Sequence, residues 1–234
     1  NTIGYKYRAI DNVIEELRFL KELGKKDVFF IDQTFGGNRR RTLDLCSRIC
    51  DGDYHFGWTC FSRADILSDE MLTAMQDAGC NTIIIGVETA SADVLQKYGK
   101  GTTLEQVREA FRRCKSRKIR TVATFILGLP EETEETALAT IAFARKLDCD
   151  FASFNIAVPR MRTTLRKEAI SDRLIPPGFL MMDQTGSSIA MPSRHLTKDQ
   201  LMNLGTKAIK DFYLRPGYLW RRAMSVSTCY ELRE

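Results

Sequence analysis

Apolar residues at Val13, Ile14, Leu17, Leu20 and Leu23 recur at the spacing of one helix face and stop at Gly24; four consecutive apolar residues, Val28 to Ile31, follow. The first pattern predicts an amphipathic helix and the second a short strand buried on both faces. The alternation then repeats. Helices are expected near Thr42 to Cys50, Asp69 to Ala78, Thr103 to Ser116 and Glu132 to Leu147, and strands near Phe56 to Phe61, Thr82 to Val87, Thr121 to Leu127 and Phe151 to Val158. Apolar strands separated by helices satisfy the right-handed crossover rule only as a parallel sheet covered by helices. The fold class is therefore α/β. Even spacing and the lack of a Gly-rich dinucleotide turn point to a partial (β/α) barrel.

Beyond Pro159 the rhythm breaks. Pro176-Pro177-Gly178 reads as a turn, Met182 to Met191 as irregular or weakly extended, and Thr197 to Leu214 as a helix with Thr197 and Gln200 placed for a capping box. Pro216-Gly217 ends that helix before a short aromatic one near Tyr218 to Met224. The chain thus divides into a core at 1–160 and a mainly helical extension at 161–234.

Composition excludes several classes. With 44% hydrophobic and 28% charged residues the chain can bury a sizeable core, so disorder and fibre are ruled out. No apolar run approaches the roughly 18 residues of a membrane helix, and Asn1 to Arg8 lack a signal-peptide core; a soluble, cytoplasmic protein is expected. The net charge of +5 is mild. Its basic runs, Arg39 to Arg41 and Arg112 to Lys118, fall where helices are expected and read as solvated faces, so no nucleic-acid partner is indicated. Seven cysteines, scattered through apolar segments, read as reduced and mostly buried thiols.

Parallel α/β folds bind ligands at the C-terminal ends of their strands, and here those ends are polar: Asp32-Gln33-Thr34, Ser62-Arg63-Ala64-Asp65, Glu88-Thr89, Gly128 to Glu132, and Asn155 to Arg160. Asp32, Glu88 and Arg63 on one rim would suit a ligand with ammonium, carboxylate and hydroxyl groups, such as an amino acid joined to a ribose. The competing reading, weightier for Asp65, Glu131 and Glu132, is that these acids cap or complement the dipoles of the next helices. Glu131, Glu132, Glu134 and Glu135 around the main Gly/Pro turn argue against a phosphate. Cys46-x3-Cys50 begins like an iron-sulfur loop, but the third position is Asp53 and the pair lies in a helical pattern. His55 and His195 have no metal-binding partner motif, and no nucleophile elbow occurs. No metal ligand is assigned.

The runs Val13-Ile14-Glu15-Glu16-Leu17, Phe29-Phe30-Ile31-Asp32-Gln33-Thr34-Phe35 and Trp58-Thr59-Cys60-Phe61-Ser62-Arg63-Ala64-Asp65 closely resemble the radical S-adenosylmethionine (SAM) superfamily. Ala78-Gly79-Cys80, Ile84 to Ser91, Lys100-Gly101-Thr102-Thr103 and Phe125 to Thr133 follow in that family's order, so the likeness covers about residues 5 to 160. Asp211-Phe212-Tyr213-Leu214-Arg215-Pro216, leading into Arg221-Arg222, looks like the branch that carries an N-terminal cobalamin-binding domain, which includes methyltransferases and ring-forming enzymes.

The resemblance implies a partial (β/α)6 barrel in which Val28 to Ile31 is the second strand. The first strand, with the C-x3-C-x2-C loop that holds a 4Fe-4S cluster, would precede Asn1, which implies a fragment that is inactive in isolation. It implies that Asp32 approaches the SAM amino group, Glu88 the ribose or methionine moiety, and Arg63 the carboxylate. Thr124 to Glu131 align with G-x-I-x-G-x-x-E, so that Ile126 packs on adenine and Gly128 permits close backbone approach, with Thr124 in place of the first Gly. Pro159-Arg160-Met161-Arg162-Thr163 stands where the branch often shows P-x-P-G-T and lacks its second Pro and its Gly.

The implied activity is reductive cleavage of SAM to a 5'-deoxyadenosyl radical for methyl transfer or C–H activation on a small-molecule substrate. An electron donor such as flavodoxin or ferredoxin, and a cobalamin held by the preceding domain, would go with it. Two alternatives stay open. A methylthiotransferase of the same superfamily predicts a small β-domain where Thr197 to Met224 reads as helix, and a degenerate module would bind SAM without cleaving it.

Overall fold

Helices begin where the chain offers a side-chain acceptor to their unpaired first amides. Asn38, Ser68, Ser91, Thr103, Thr133, Thr163 and Thr197 each accept a backbone N–H three residues on. At Thr103, Thr133 and Thr197 the box is reciprocal, with Gln106, Thr136 and Gln200 reaching back. The computed structural model describes residues 6–52, 54, 56–180 and 191–225. His55 and most of the expected extended segment, 182–190, lie outside them.

The elements run α1 (Ile10–Glu22), β1 (Asp27–Phe30), α2 (Arg39–Asp51), β2 (Gly57–Ser62), a 3-10 turn (Ala64–Ile66), α3 (Asp69–Asp77), β3 (Cys80–Glu88), α4 (Ala92–Lys97), α5 (Leu104–Ser116), β4 (Arg120–Leu127), α6 (Glu134–Lys146), β5 (Phe151–Ile156), α7 (Thr164–Ser171), α8 (Lys198–Tyr213) and α9 (Pro216–Ser225). The five strands form one sheet in sequence order. β1 pairs parallel with β2 and β2 parallel with β3, with an irregularity at Trp58/Thr59. The elements match the α/β expectation in type and order, with α4 and α7 as additions, but β1, expected to be buried on both faces, is not: Phe29 is 46% exposed and Ile31, just past its end, 79%. No helix among the described residues is long and apolar enough to cross a membrane.

Two compact units are built on this order. The first comprises Asn1–Gly86 and Thr102–Val122. Trp58 on β2, 1% exposed, anchors it: its indole N–H donates to the Ala78 carbonyl at 2.7 Å, and the rings of Phe30 and Phe35 lie 5.2 and 5.0 Å away. Gly79 has φ +94°, and a Cβ there would come within 2.7 Å of the Phe56 carbonyl oxygen, so the Ala78-Gly79-Cys80 turn into β3 requires glycine. Leu45 and Ile49 of α2 and Leu72 and Met75 of α3 are buried, as are Val107, Phe111 and Cys114 of α5.

The second unit comprises Val87–Gly101 and Ala123–Glu234. One apolar cluster joins Leu127, Ile141, Ile156, Leu201 and Leu204; another joins Val94, Leu129, Ala169, Ile175 and Met191, with Ile126 packed against it. The Asp211 to Pro216 run finishes the sheet. Tyr213 Oη donates to the Ala152 carbonyl at 2.8 Å and accepts the Ala152 N–H at 3.1 Å, while Tyr218 Oη donates to the Asp150 carbonyl at 2.9 Å. Backbone groups of the last strand are thereby satisfied by phenols instead of a further strand. Pro216 opens α9, where its missing N–H has no helical acceptor to lose.

Candidate functional site

Burial alternates along β4. Thr121, Ala123, Phe125 and Leu127 are buried, whereas Val122, Thr124 and Ile126 on the opposite face are half-buried. β1 and β2 share the asymmetry: Phe29 and Phe61 are 46% and 37% exposed, with ring centroids 5.2 Å apart. Better-buried and more exposed positions thus alternate along each of these strands.

In the first unit, β1 ends at Phe30 and the next two residues, Ile31 and Asp32, are exposed. Asp32 lines a cleft of about 790 Å³ walled by Leu17 and Leu20 of α1, Phe29 of β1, and Thr34 and Gly36 of the following loop. Two bonds pin that loop: the Phe35 N–H donates to the Phe61 carbonyl at 2.8 Å and Ser62 Oγ donates to the Phe35 carbonyl at 2.8 Å. The cleft's size suits a drug-sized ligand, roughly 300–1,000 Å³. Arg63 does not line it. Its Nε and Nη2 donate to Asp65 Oδ1 and Oδ2, each at 3.0 Å. Burial works against the Asp65 charge, but the Arg63 guanidinium prevails and holds that carboxyl below the usual range. A ligand carboxylate at Arg63 must therefore compete with Asp65.

In the second unit, Glu88 closes β3 with φ 70°, a left-handed conformation for a non-glycine residue, and Lys100 Nζ donates to its Oε1 at 2.5 Å. Gly128 follows β4 with φ 85°, and a Cβ there would stand 3.2 Å from Leu201 Cδ1. Its N–H donates to the carboxylate of Glu132, which is 3% exposed. Burial pushes the Glu132 carboxyl up to about 7 against the pull of that N–H. Ser193 Oγ donates to the Glu132 carbonyl at 3.0 Å and accepts the Leu196 N–H at 2.9 Å, so the loop is held from both sides.

Glu131, one residue earlier, turns outward. It pairs with Lys97 and, at 3.1 Å, with Arg194; Lys97 also meets Glu168 at 3.0 Å, Arg194 meets Asp172 at 2.6 Å, and Tyr98 Oη donates to both Glu131 and Glu168. This network ties α4, the Gly128 loop and α7 together. Sequence gave no signal of it, because its members stand at positions 97, 131, 168, 172 and 194. The N-cap expected of Glu131 or Glu132 is supplied by Thr133 instead.

The cysteines do not form a cluster loop. Cys46 and Cys50 stand one turn apart on α2, the first buried, with burial pushing its thiol up to about 12, and the second exposed. Cys60, Cys80, Cys114 and Cys149 are buried and not disulfide-bonded. Among the described residues no group of three or more metal-ligating side chains occurs. Asp32 and Arg63 thus belong to the first unit, and Glu88, Ile126 and Gly128 to the second. The structure adds Lys100 and Glu132 to the set.

The profile of the radical SAM superfamily matches residues 1–144. An uncharacterized methyltransferase of Pyrococcus horikoshii is 37% identical over 222 residues, 92% of this chain and 48% of that protein. The anaerobic magnesium-protoporphyrin IX monomethyl ester cyclase of Rubrivivax gelatinosus is 32% identical over 160 residues, 66% of this chain and 28% of that protein. Among solved structures, the radical SAM methyltransferase TsrM of Kitasatospora setae, with cobalamin and a 4Fe-4S cluster bound, superposes with a TM-score of 0.67 at 19% identity, covering 90% of this chain and 47% of that one. That likeness shows the fold. The chain belongs to the radical SAM superfamily. It spans about half the length or less of the curated relatives it matches.

Proposed function

We propose that these residues are the SAM-binding core of a larger radical SAM enzyme that carries out methyl transfer or C–H activation. The observation that carries the reading is the placement of two acids, Asp32 and Glu88, at the C-terminal ends of strands in a chain that matches the family profile. Each unit by itself offers groups that suit a part of SAM. Asp32 offers an exposed carboxylate beside an apolar-walled cleft, suited to an ammonium group. Glu88 offers an acceptor for ribose hydroxyls or the methionine moiety. Ile126 offers a half-buried apolar surface to adenine, beside the glycine turn at Gly128.

The thiols do not suit the cluster: those of the described residues are buried or isolated, so its three ligands are assigned to sequence outside this chain. When bound, SAM is the group that supplies the 5'-deoxyadenosyl radical which takes hydrogen from a substrate carbon. This chain's part is to orient the sulfonium nucleoside and to keep water from the half-buried face of its strands. The 37% identical methyltransferase supports methyl transfer over ring closure, and a cobalamin domain preceding this core fits the TsrM likeness. Division of the chain into a barrel core at 1–160 and an extension at 161–234, a cytoplasmic location, a small-molecule substrate and a flavodoxin or ferredoxin as electron donor belong to the same reading.

The test uses the full-length protein, purified without oxygen, reconstituted with iron and sulfide, reduced and mixed with SAM. Formation of 5'-deoxyadenosine by mass spectrometry is the expected result, and a fully loaded, reduced protein that leaves SAM intact contradicts the reading. The isolated 234-residue chain is expected to show no stable 4Fe-4S signal by electron paramagnetic resonance.

A further inference from the structure

Helix α9 carries its polarity reversed. At about 100° per residue, Leu219, Trp220, Ala223 and Met224 share the half of its surface opposite Tyr218. Tyr218, 7% exposed, is the inward side: its Oη donates to the Asp150 carbonyl at 2.9 Å, the Arg222 guanidinium lies over the Phe151 ring at 4.9 Å, and Arg221 pairs with Asp148. Tyr218 and two arginines thus hold the helix to the protein. Its apolar half faces solvent, with Leu219 51%, Trp220 69% and Met224 70% exposed. A surface helix ordinarily buries that half and shows its charges. Leu214, two residues before the helix, is 63% exposed as well.

Cations border this face. On the helix, Arg221 and Arg222 flank the apolar half on either side. Just before it, Arg145, Lys210 and Arg215 line a pocket of about 390 Å³ with Leu214 and Pro216, and the acid among its walls, Asp211, is already paired with Lys207 at 3.0 Å. Burial, and then the neighbouring Arg145 guanidinium, hold the Arg215 pKa below its ordinary value, as happens where cations gather without matching acids.

We propose that α9 and the cations around it form a docking surface for an anionic lipid bilayer, the helix lying in the plane of the interface. Leu219, Trp220 and Met224 enter the boundary between headgroups and acyl chains, and the flanking arginines and the pocket's cations meet the phosphates. Charge selects this occupant. A second copy seated on the same face by a two-fold axis would bring like cations together, and a neutral protein surface would leave them unpaired. The surface is independent of SAM binding and needs no loaded site.

The test is co-flotation of the full-length protein with vesicles of equal parts phosphatidylglycerol and phosphatidylcholine, and with vesicles of phosphatidylcholine alone. Binding to the mixed vesicles at least about 10-fold stronger than to the neutral ones, and lost in high salt, is expected. Leu219→Gln/Trp220→Gln should weaken it about 10-fold or more and Lys210→Gln about 5-fold, both with wild-type Tm. Brominated acyl chains should quench the tryptophan fluorescence of wild type more than that of Trp220→Phe, since Trp58 is 1% exposed. No binding to the mixed vesicles, equal binding to the neutral ones, or binding untouched by the double variant overturns the inference. So does a dimer or a protein complex that the double variant dissolves, because another occupant then holds the face. Should the double variant fail to fold, Ala223→Glu, which sets an anion in the exposed half of the helix, carries the same comparison.

Discussion

The buried carboxylate of Glu132 accepts the backbone N–H of Gly128, the residue whose positive φ turns the chain out of β4. Burial raises the Glu132 carboxyl from its ordinary value to about 7, so the folded state holds a proton that the unfolded state has released over the interval between. Stability from this group is full at acid pH and declines as pH rises towards and through 7. Thermal unfolding of wild type from pH 5 to pH 8 is expected to show a falling Tm, with a flatter profile for Glu132→Gln. Parallel profiles would show that Glu132 is not the group responsible.

Two glycines should respond in opposite directions. Gly128→Ala forces a Cβ into a left-handed backbone and to 3.2 Å from Leu201 Cδ1, and is expected to cost about 1–2 kcal/mol or more. Gly205 lies inside α8, where an added Cβ meets Ile156 Cδ1 at an ordinary 3.9 Å, so Gly205→Ala is expected to stabilise by about 0.5–1 kcal/mol. Urea unfolding of both variants checks the signs.

Five strands and the Thr197/Gln200 capping box were legible in the sequence because they rest on local signals, namely apolar runs and a fixed three-residue spacing. α4 was not, since six residues show less than two turns of periodicity. α7 was not, because one of its buried positions is Arg166, whose guanidinium donates to the carbonyls of Pro159, Pro177 and Phe179. A hydropathy pattern scores such a residue as solvent-facing although three acceptors satisfy it. Neighbouring Glu131 and Glu132 carry the same argument into the candidate site. Identical in type and adjacent in sequence, one joins an ion-pair network and the other is buried on an amide, and only the tertiary contacts distinguish them.

Among the described residues of the first unit, Trp58 is the largest fully buried side chain. Trp58→Ala removes its ring contacts with Phe30 and Phe35 and its bond to the Ala78 carbonyl, and is expected to cost about 3–5 kcal/mol, read from the urea midpoint. Trp58→Phe should cost less, because packing is mostly retained. Equal losses would place the weight on the hydrogen bond.

Among the described cysteines, Cys50 alone is exposed. Burial pushes the thiols of Cys46 and Cys149 up to about 12, leaving little thiolate at neutral pH. Brief alkylation of the native protein at pH 8 is therefore expected to modify Cys50 well ahead of Cys46 and Cys149, which react after denaturation. Equal rates for Cys46 and Cys50 would reveal an opening of α2 that the fold does not provide. Cys46→Ser and Cys50→Ser are both expected to leave iron content of the full-length protein unchanged.

The central claim is that strand-end side chains of this chain hold SAM, and calorimetric titration of SAM into the full-length reconstituted protein tests it most directly. Asp32 is exposed, so Asp32→Asn should keep wild-type Tm yet weaken SAM by about 10-fold or more, the loss expected of a charge-assisted hydrogen bond to an ammonium group. Saturable one-to-one binding by wild type, weakened in Asp32→Asn, is the predicted result. Wild-type affinity retained in that variant, or no binding by the intact protein, would contradict the account.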